Sequence, residues 1–529
     1  MAPQLQLNQG PQDALLYDNS RSYFTNVGYT RTSNFQMELR DVDPQNTPNL
    51  GATVNFVIPK AADLLGPCDL MIEFNKSTAA PGSNKAWGWV ESVGHAMLEK
   101  ITFSVGSHDV EVLTGEHLNI INELMRTDEH RYGFKKTLKT GRPLVRSNLA
   151  GTTHGRVLES DTKYDAYDRL IAYDTATIKD GKKLVIPLGL FFMKHPSAYF
   201  PLAAIAGCND VRISIKFRNV QELVMGHSVY SVTGGTADDT EPTNAFETPL
   251  AFEGSSVLKR CQLRCHYVHL TGPEATQLMN REHVRLMKLW NGNEVSKQFA
   301  VSATAADKTA KFDLDLSFLH PVQEIVITIR KVAEMGSSMI TTGKPTDVSQ
   351  GARTKNYFAY HGGGRDPNPE SPANSTITGD LPSGSTAPYL TVRNFKLTLN
   401  GQSRHLDGQG IDRDYLMDRL MPMLHSNADE LNAEIAVSSL AKHDAAKVFN
   451  DDFAALRELQ DRKEIYVYPF ALNPEGHNPS GAVNFSKVSH AKLSIEYEAD
   501  GAADYQVDVY GLYYNWLAIK DGRALTSFA

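Results

Sequence analysis

Apolar and polar residues alternate in short runs along most of this chain, and the runs stop at Gly, Pro and Asn. A two-residue period puts successive side chains on opposite faces, so each run reads as a strand with one buried face. Val54 to Phe74, Lys100 to Val112, Leu184 to Leu190 and Val211 to Val220 form a first group. Leu258 to Leu270 opens a second, which continues through Phe312 to Phe318, Glu324 to Arg330, Leu390 to Leu399, Ile465 to Phe470 and Ala491 to Tyr497. Helical spacing is rarer. One helix is predicted from Gly115 through Met125, where Leu118, Ile121, Leu124 and Met125 share a face, and one or two more within Asp429 to Arg462.

The two groups repeat one another. Val211-Arg212-Ile213-Ser214-Ile215-Lys216-Phe217 is matched in character, position by position, by Ala491-Lys492-Leu493-Ser494-Ile495-Glu496-Tyr497. Upstream, Ile101-Thr102-Phe103-Ser104-Val105 and its glycine turn find a partner in Phe395-Lys396-Leu397-Thr398-Leu399 and the turn at Asn400-Gly401. Because 529 residues exceed what one hydrophobic core accommodates, two β domains in tandem are expected. The boundaries read as an N-terminal arm (1–28), a first domain (29–222), a linker rich in Gly, Thr, Ser and acidic residues (223–257), a second domain (258–516) and a C-terminal tail (517–529). The second domain carries a Gly/Ser/Pro/Thr-rich loop system (335–388) and the helical insertion (429–462). The loop composition predicts an exposed, outward-facing segment that tolerates trimming.

A net charge of −8 argues against a protein that coats nucleic acid, which needs a clustered positive field. The charges from Asp128 to Lys139 are of mixed sign and read as a solvated face. Four cysteines, Cys68, Cys208, Cys261 and Cys265, make no disulfide framework and fit a reducing compartment. The N-terminus lacks the apolar core of a secretory signal, and no run approaches a membrane span, so a protein soluble when made is expected. Of three Asn-x-Ser/Thr sequons, at Asn75, Asn374 and Asn484, none is then expected to be glycosylated by the secretory route.

Candidate chemistry is sparse. Cys261, Cys265, His266 and His269 crowd together in the manner of a zinc site. A strand, however, separates residues four apart by about 13 Å, too far for two thiolates to share one zinc, so buried cysteines are favoured. His361-Gly362-Gly363-Gly364 copies an esterase oxyanion string, yet no Gly-x-Ser-x-Gly elbow accompanies it. There is no phosphate-binding Gly-x4-Gly-Lys-Ser/Thr loop and no His-x-His pair for a cupin metal. Catalytic residues, cofactor-binding residues and metal ligands are therefore all expected to be none.

Several segments together resemble the major capsid protein of nucleocytoplasmic large DNA viruses, the double jelly-roll family. The most distinctive runs from Tyr466-Val467-Tyr468-Pro469-Phe470 through Asn473-Pro474-Glu475-Gly476-His477-Asn478-Pro479 to Asn484-Phe485-Ser486. Trp89-Val90 with Gly94-His95-Ala96, Gly115-Glu116 with Leu118, Ile186-Pro187-Leu188 ahead of Pro196, and His320-Pro321-Val322-Gln323-Glu324 are similar to the family and follow its order. Tyr29 to Phe35 resembles the entry into its first jelly roll, so the likeness spans about residues 23 to 516. Pro469 departs from a small polar residue and predicts a sheet edge or strand end. The insertion 429–462 also departs from the family, without an assigned role.

The resemblance implies an all-β protein of two tandem eight-stranded jelly-roll barrels, a double jelly roll, with Phe485 as a buried anchor of the second. It further implies a structural subunit without enzymatic activity, forming a homotrimer of pseudo-hexagonal outline in an icosahedral virion shell. Neighbouring capsomers, minor capsid proteins and an inner membrane near the base are the implied partners, without direct nucleic-acid binding, after synthesis and assembly in the host cytoplasm. The alternative from another class is a carbohydrate-binding jelly-roll protein.

Overall fold

The computed structural model describes residues 33–78, 85–90, 92–125, 170–173, 177–178, 183–205, 207, 209–228, 251–253, 256–291, 295–301, 309–332, 357–358, 360, 389–405, 408–425, 464–500 and 503–527. The arm (1–28), the insertion (429–462), the mixed-charge run (128–139), Asn374, Cys208 and the His361 to Gly364 string lie outside them.

Eight strands build the first half: β1 (Phe35–Val42), β2 (Thr53–Ile58), β3 (Leu64–Phe74), β4 (Leu98–Val105), β5 (His108–Leu113), β6 (Lys183–Pro187), β7 (Val211–Phe217) and β8 (Leu258–Leu270). They form two antiparallel sheets, ordered β1-β8-β3-β6 and β2-β7-β4-β5. The second half uses β9 (His283–Trp290), β10 (Thr309–Leu316), β11 (Pro321–Lys331), β12 (Tyr389–Leu399), β13 (Gln402–Ser403), β14 (Ile465–Pro469), β15 (Ala491–Asp500) and β16 (Ala503–Lys520). Its sheets run β9-β16-β11-β14 and β10-β15-β12-β13. Adding eight to each label of the first half gives the second, which is the double jelly-roll arrangement.

The repeat is one of register as well as order. Val211, Ile213 and Ile215 face Val105, Phe103 and Ile101, while Ala491, Leu493 and Ile495 face Leu399, Leu397 and Phe395. These are the matched positions of the sequence, and they all point inward and are buried save Leu399, which packs against the core. In the first barrel Phe103, Phe192 and Phe200 meet at ring separations of 5.2 to 5.9 Å. Phe395 and Tyr466 do the same in the second, at 4.7 Å.

Four expectations need correction. Leu258–Leu270 does not open the second half: as β8 it pairs with β1 and β3, closing the first sheet. Its alternation is equally compatible with either barrel, and only pairing decides. The linker 223–257 begins with a strand, Val224–Ser228, paired with Lys85–Trp89 in a small side sheet. The tail from 517 is strand too, since β16 runs to Lys520, turns at Asp521-Gly522, and pairs back with Arg523–Thr526. Both turn residues have positive φ, 51° and 74°, the conformation that makes Asp-Gly a hairpin signal. Finally, the loop system 335–388 is not wholly exposed, because Tyr357, Phe358 and Tyr360 are buried.

Pro469 ends β14 at the edge of its sheet, where a missing N–H costs no ladder bond. Among the described residues no helix is long and apolar enough to cross a membrane.

Candidate assembly site at the junction of the two barrels

The predicted helix α1 (Gly115–Met125) follows β5 and lies where the barrels meet. Its apolar residues Leu118 and Leu124 enter the first core, but the polar Glu116, His117, Asn119, Asn122 and Glu123 are buried as well. A helix buried all round is covered on two sides. The second cover is the outer face of the β9-β16-β11 sheet of the second barrel: the His117 ring lies 5.1 Å from Trp290 and 5.0 Å from Tyr510.

Charge holds this seam. Arg330 on β11 donates from Nη1 to Glu116 Oε1 at 2.7 Å and from Nε to Asp508 Oδ2 at 3.1 Å. Arg218, just after β7, stands 3.6 Å from the same Glu116, and the Tyr510 hydroxyl donates to Glu116 Oε2 at 3.0 Å. Two guanidinium groups thus meet two carboxylates, so the cluster is neutral although buried. Burial alone raises the Glu116 carboxyl, but Arg330 and Arg218 outweigh it and hold it at about 2. Burial in turn pushes His117 down to about 4, keeping it neutral between the rings.

The three buried aromatics of the 335–388 segment close the seam. The Tyr357 hydroxyl donates to Glu222 O at 3.1 Å, and the Arg218 guanidinium lies 4.8 Å from its ring centroid. Phe358 meets His95 edge-on at 6.5 Å, and Tyr360 donates to Asn119 Oδ1 at 3.3 Å. Gly115 has no room for a side chain, because a Cβ there lies 1.9 Å from His95 O and 2.8 Å from Leu98 O. The Gly94-His95-Ala96 and Gly115-Glu116 motifs are therefore one packing unit.

The long C-terminal motif forms a second anchored element. The amide of Gln323 donates to Pro474 O at 3.3 Å, and the Lys288 ammonium donates to Pro474 O at 2.9 Å and also to Gly476 O. Asn473 Oδ1 accepts from Gly476 N at 2.9 Å. Glu475 lies 3.4 Å from His425, whose Nε2 is 3.0 Å from Glu324. Burial lowers His425, but Glu324 and Glu475 outweigh it and raise it to about 9. Phe485 is buried, at 3% exposure, with Phe318 edge-on at 5.6 Å, as expected for an anchor.

The sequence-derived metal candidates separate. Cys261 and Cys265 are free and buried in the first core, whereas His266 lies 3.8 Å from Asp69 and His269 3.0 Å from Glu38. Arg330, Asp508 and Tyr510 were not singled out by sequence reasoning. Their signal was the polar residues embedded in otherwise apolar runs of β11 and β16.

A family model described as "Major capsid protein N-terminus" matches residues 22–271, ending one position beyond β8. The major capsid protein of Phaeocystis pouchetii virus is 22% identical, with 97% of this chain and 96% of that protein covered. That of Pyramimonas orientalis virus is 23% identical, covering 97% and 95%. Over residues 22–271 the chain thus matches the major capsid protein family, and over 97% of its length it is similar to the major capsid proteins of these two viruses. Solved structures agree on the family fold. A quasi-atomic model of the PBCV-1 virus capsid matches with a TM-score of 0.60 at 15% identity, covering 96% of this chain and 100% of that one. The Faustovirus major capsid protein matches with a TM-score of 0.58 at 13% identity, covering 97% and 94%.

The seam carries a pH prediction. Glu116 is depressed below its ordinary 4.5, so its contribution is complete above pH 4.5 and is lost as pH falls through about 2. His117, depressed from 6.5, acts in the same direction, contributing fully above 6.5 and losing that contribution as pH falls through about 4. Acid titration is expected to raise hydrogen exchange in α1 before the barrel cores. Glu116→Gln is expected to flatten that dependence at a lower overall stability, while an identical acid profile in wild type and variant counts against the assignment.

Proposed function

We propose that this chain is the major structural subunit of the icosahedral shell of a large DNA virus, with three copies forming one capsomer of pseudo-hexagonal outline. The observation that carries this reading is a pair of topologically identical barrels locked side by side by a buried, neutral ion-pair cluster. Two similar units per chain let three chains present six nearly equivalent sides, which tile a hexagonal net. The rigid seam makes each pair behave as one block. Neighbouring capsomers, minor capsid proteins and an internal membrane beneath the base are the partners of this reading, and assembly takes place in the host cytoplasm. The role is structural, without catalysis.

Purified protein is expected to scatter light as three chains and to appear in negative stain as particles of hexagonal outline. A monodisperse single chain across the micromolar range would reject this reading.

A further inference from the structure

The two halves are equivalent units joined by a contact that uses different faces of each. The first half contributes the helix after its fifth strand, and the second contributes the outer face of its β9-β16-β11 sheet. A contact of this kind leaves two complementary faces open: the side of the second half that carries its own helical segment, residues 413–424, and the outer sheet face of the first. Repetition of the same contact between chains is the head-to-tail mode that closes into rings.

Register identifies the residues. Ile101 pairs with Leu113 in the first half, and its matched residue Phe395 pairs with Ile411 in the second. Leu113 therefore corresponds to Ile411, and four residues on, His117 corresponds to Tyr415. The next positions, Leu118 and Leu416, are both buried, as the correspondence requires. On the sheet side, Leu65 faces Phe200 and Tyr267, while Val322 faces Val483 and Tyr513. Tyr267 thus corresponds to Tyr513, and the preceding His266 to Leu512. Leu39 faces His266, and Trp290 faces Leu512, so Leu39 corresponds to Trp290.

His117 and Trp290 are the buried partners across the seam within a chain. Their counterparts Tyr415 and Leu39 are 58% and 60% exposed. Phe35 and Met37 beside Leu39, and Met423 beyond Tyr415, are more than half exposed too. These five make up nearly half of the eleven large exposed apolar residues among those described, concentrated on the two faces that the repeat leaves open. Dispersed singly they would need no explanation, but a shared row on one strand face does.

Building on the reading of the chain as a capsomer subunit, we propose that Leu39 on β1 of one copy packs against Tyr415 of a second copy, repeating between chains the Trp290–His117 contact made within each. The ion-pair cluster is not repeated. Counting along β3 and β11 from Leu65 and Val322, Glu73 stands where Arg330 stands, and it is already paired with Lys259 at 2.8 Å. The contact between chains is accordingly apolar and separable, unlike the seam within a chain.

Because both side chains are exposed in a single chain, Leu39→Lys and Tyr415→Glu are expected to leave the folded chain and its circular dichroism unchanged. Each is expected to weaken association by about tenfold or more, read as a shift from three chains to one by light scattering on dilution. Combining the two substitutions places opposite charges face to face and is expected to restore part of the association. A wild-type oligomer whose mass on dilution is unchanged by either substitution overturns this contact while leaving the capsomer reading intact. A wild-type chain that is single at every concentration overturns the capsomer reading itself.

Discussion

Arg330→Ala is expected to destabilise the protein by about 3–5 kcal/mol, because it leaves the Glu116 and Asp508 carboxylates buried without their shared cation. The penalty comes from the stranded charges more than from the lost attraction, which is why a neutral replacement on one side alone is damaging. Arg218 lies 3.6 Å from Glu116 and compensates only that carboxylate. Chemical denaturation should show a large fall in midpoint, with the seam opening ahead of the two cores. Adding Asp508→Asn to Arg330→Ala should recover much of the loss, since the remaining Glu116 carboxylate then has Arg218 as its counter-charge and Asp508 no longer leaves a stranded one. A single-variant loss below about 1 kcal/mol, the range of an exposed ion pair, would mean that water reaches the cluster.

Phe485→Ala is expected to cost about 3–5 kcal/mol through the cavity it leaves. The ring sits between Phe318 and Phe470, at 5.6 Å and 6.0 Å, in a short turn after Val483–Asn484. That two-residue strand pairs with Pro321–Val322, and Phe485 N donates to His320 O at 3.0 Å. Asn484 Oδ1 accepts from Ser486 N at 3.0 Å, and Ser486 Oγ accepts from His320 N at 3.0 Å. Backbone pairing thus delivers the ring to the core, and its loss should lower both the melting temperature and the yield of assembled protein. Phe485→Leu, which retains most of the volume, is expected to lose less than half as much. Equal melting of the alanine variant and wild type would place the anchor elsewhere.

How much of this protein its sequence determined follows from which faces water touches. Where a strand has one wet face, as in β4, β7, β12 and β15, alternation marked the element, and the matched positions of the two repeats proved to share register. The helix α1 was readable from Leu118, Ile121, Leu124 and Met125 for the same reason. Where both faces are covered, alternation disappears. Val507 to Leu512 of β16 are all buried, with Asp508 and Tyr510 facing the other barrel, and the strand carried no periodic signal to find.

Pairing partners lay equally beyond local pattern. Leu258–Leu270 alternates as a strand of either half, and only its ladders with β1 and β3 assign it to the first. Tyr357, Phe358 and Tyr360, set in a segment whose composition reads as solvated loop, are buried because the seam supplies hydrogen-bond partners and aromatic neighbours that sequence proximity does not reveal. The chain thus encoded its strands, its duplication and its family likeness in local chemistry. Tertiary structure alone decided the seam, because a buried charge is tolerable only where residues as far apart as Glu116, Arg218, Arg330 and Asp508 meet.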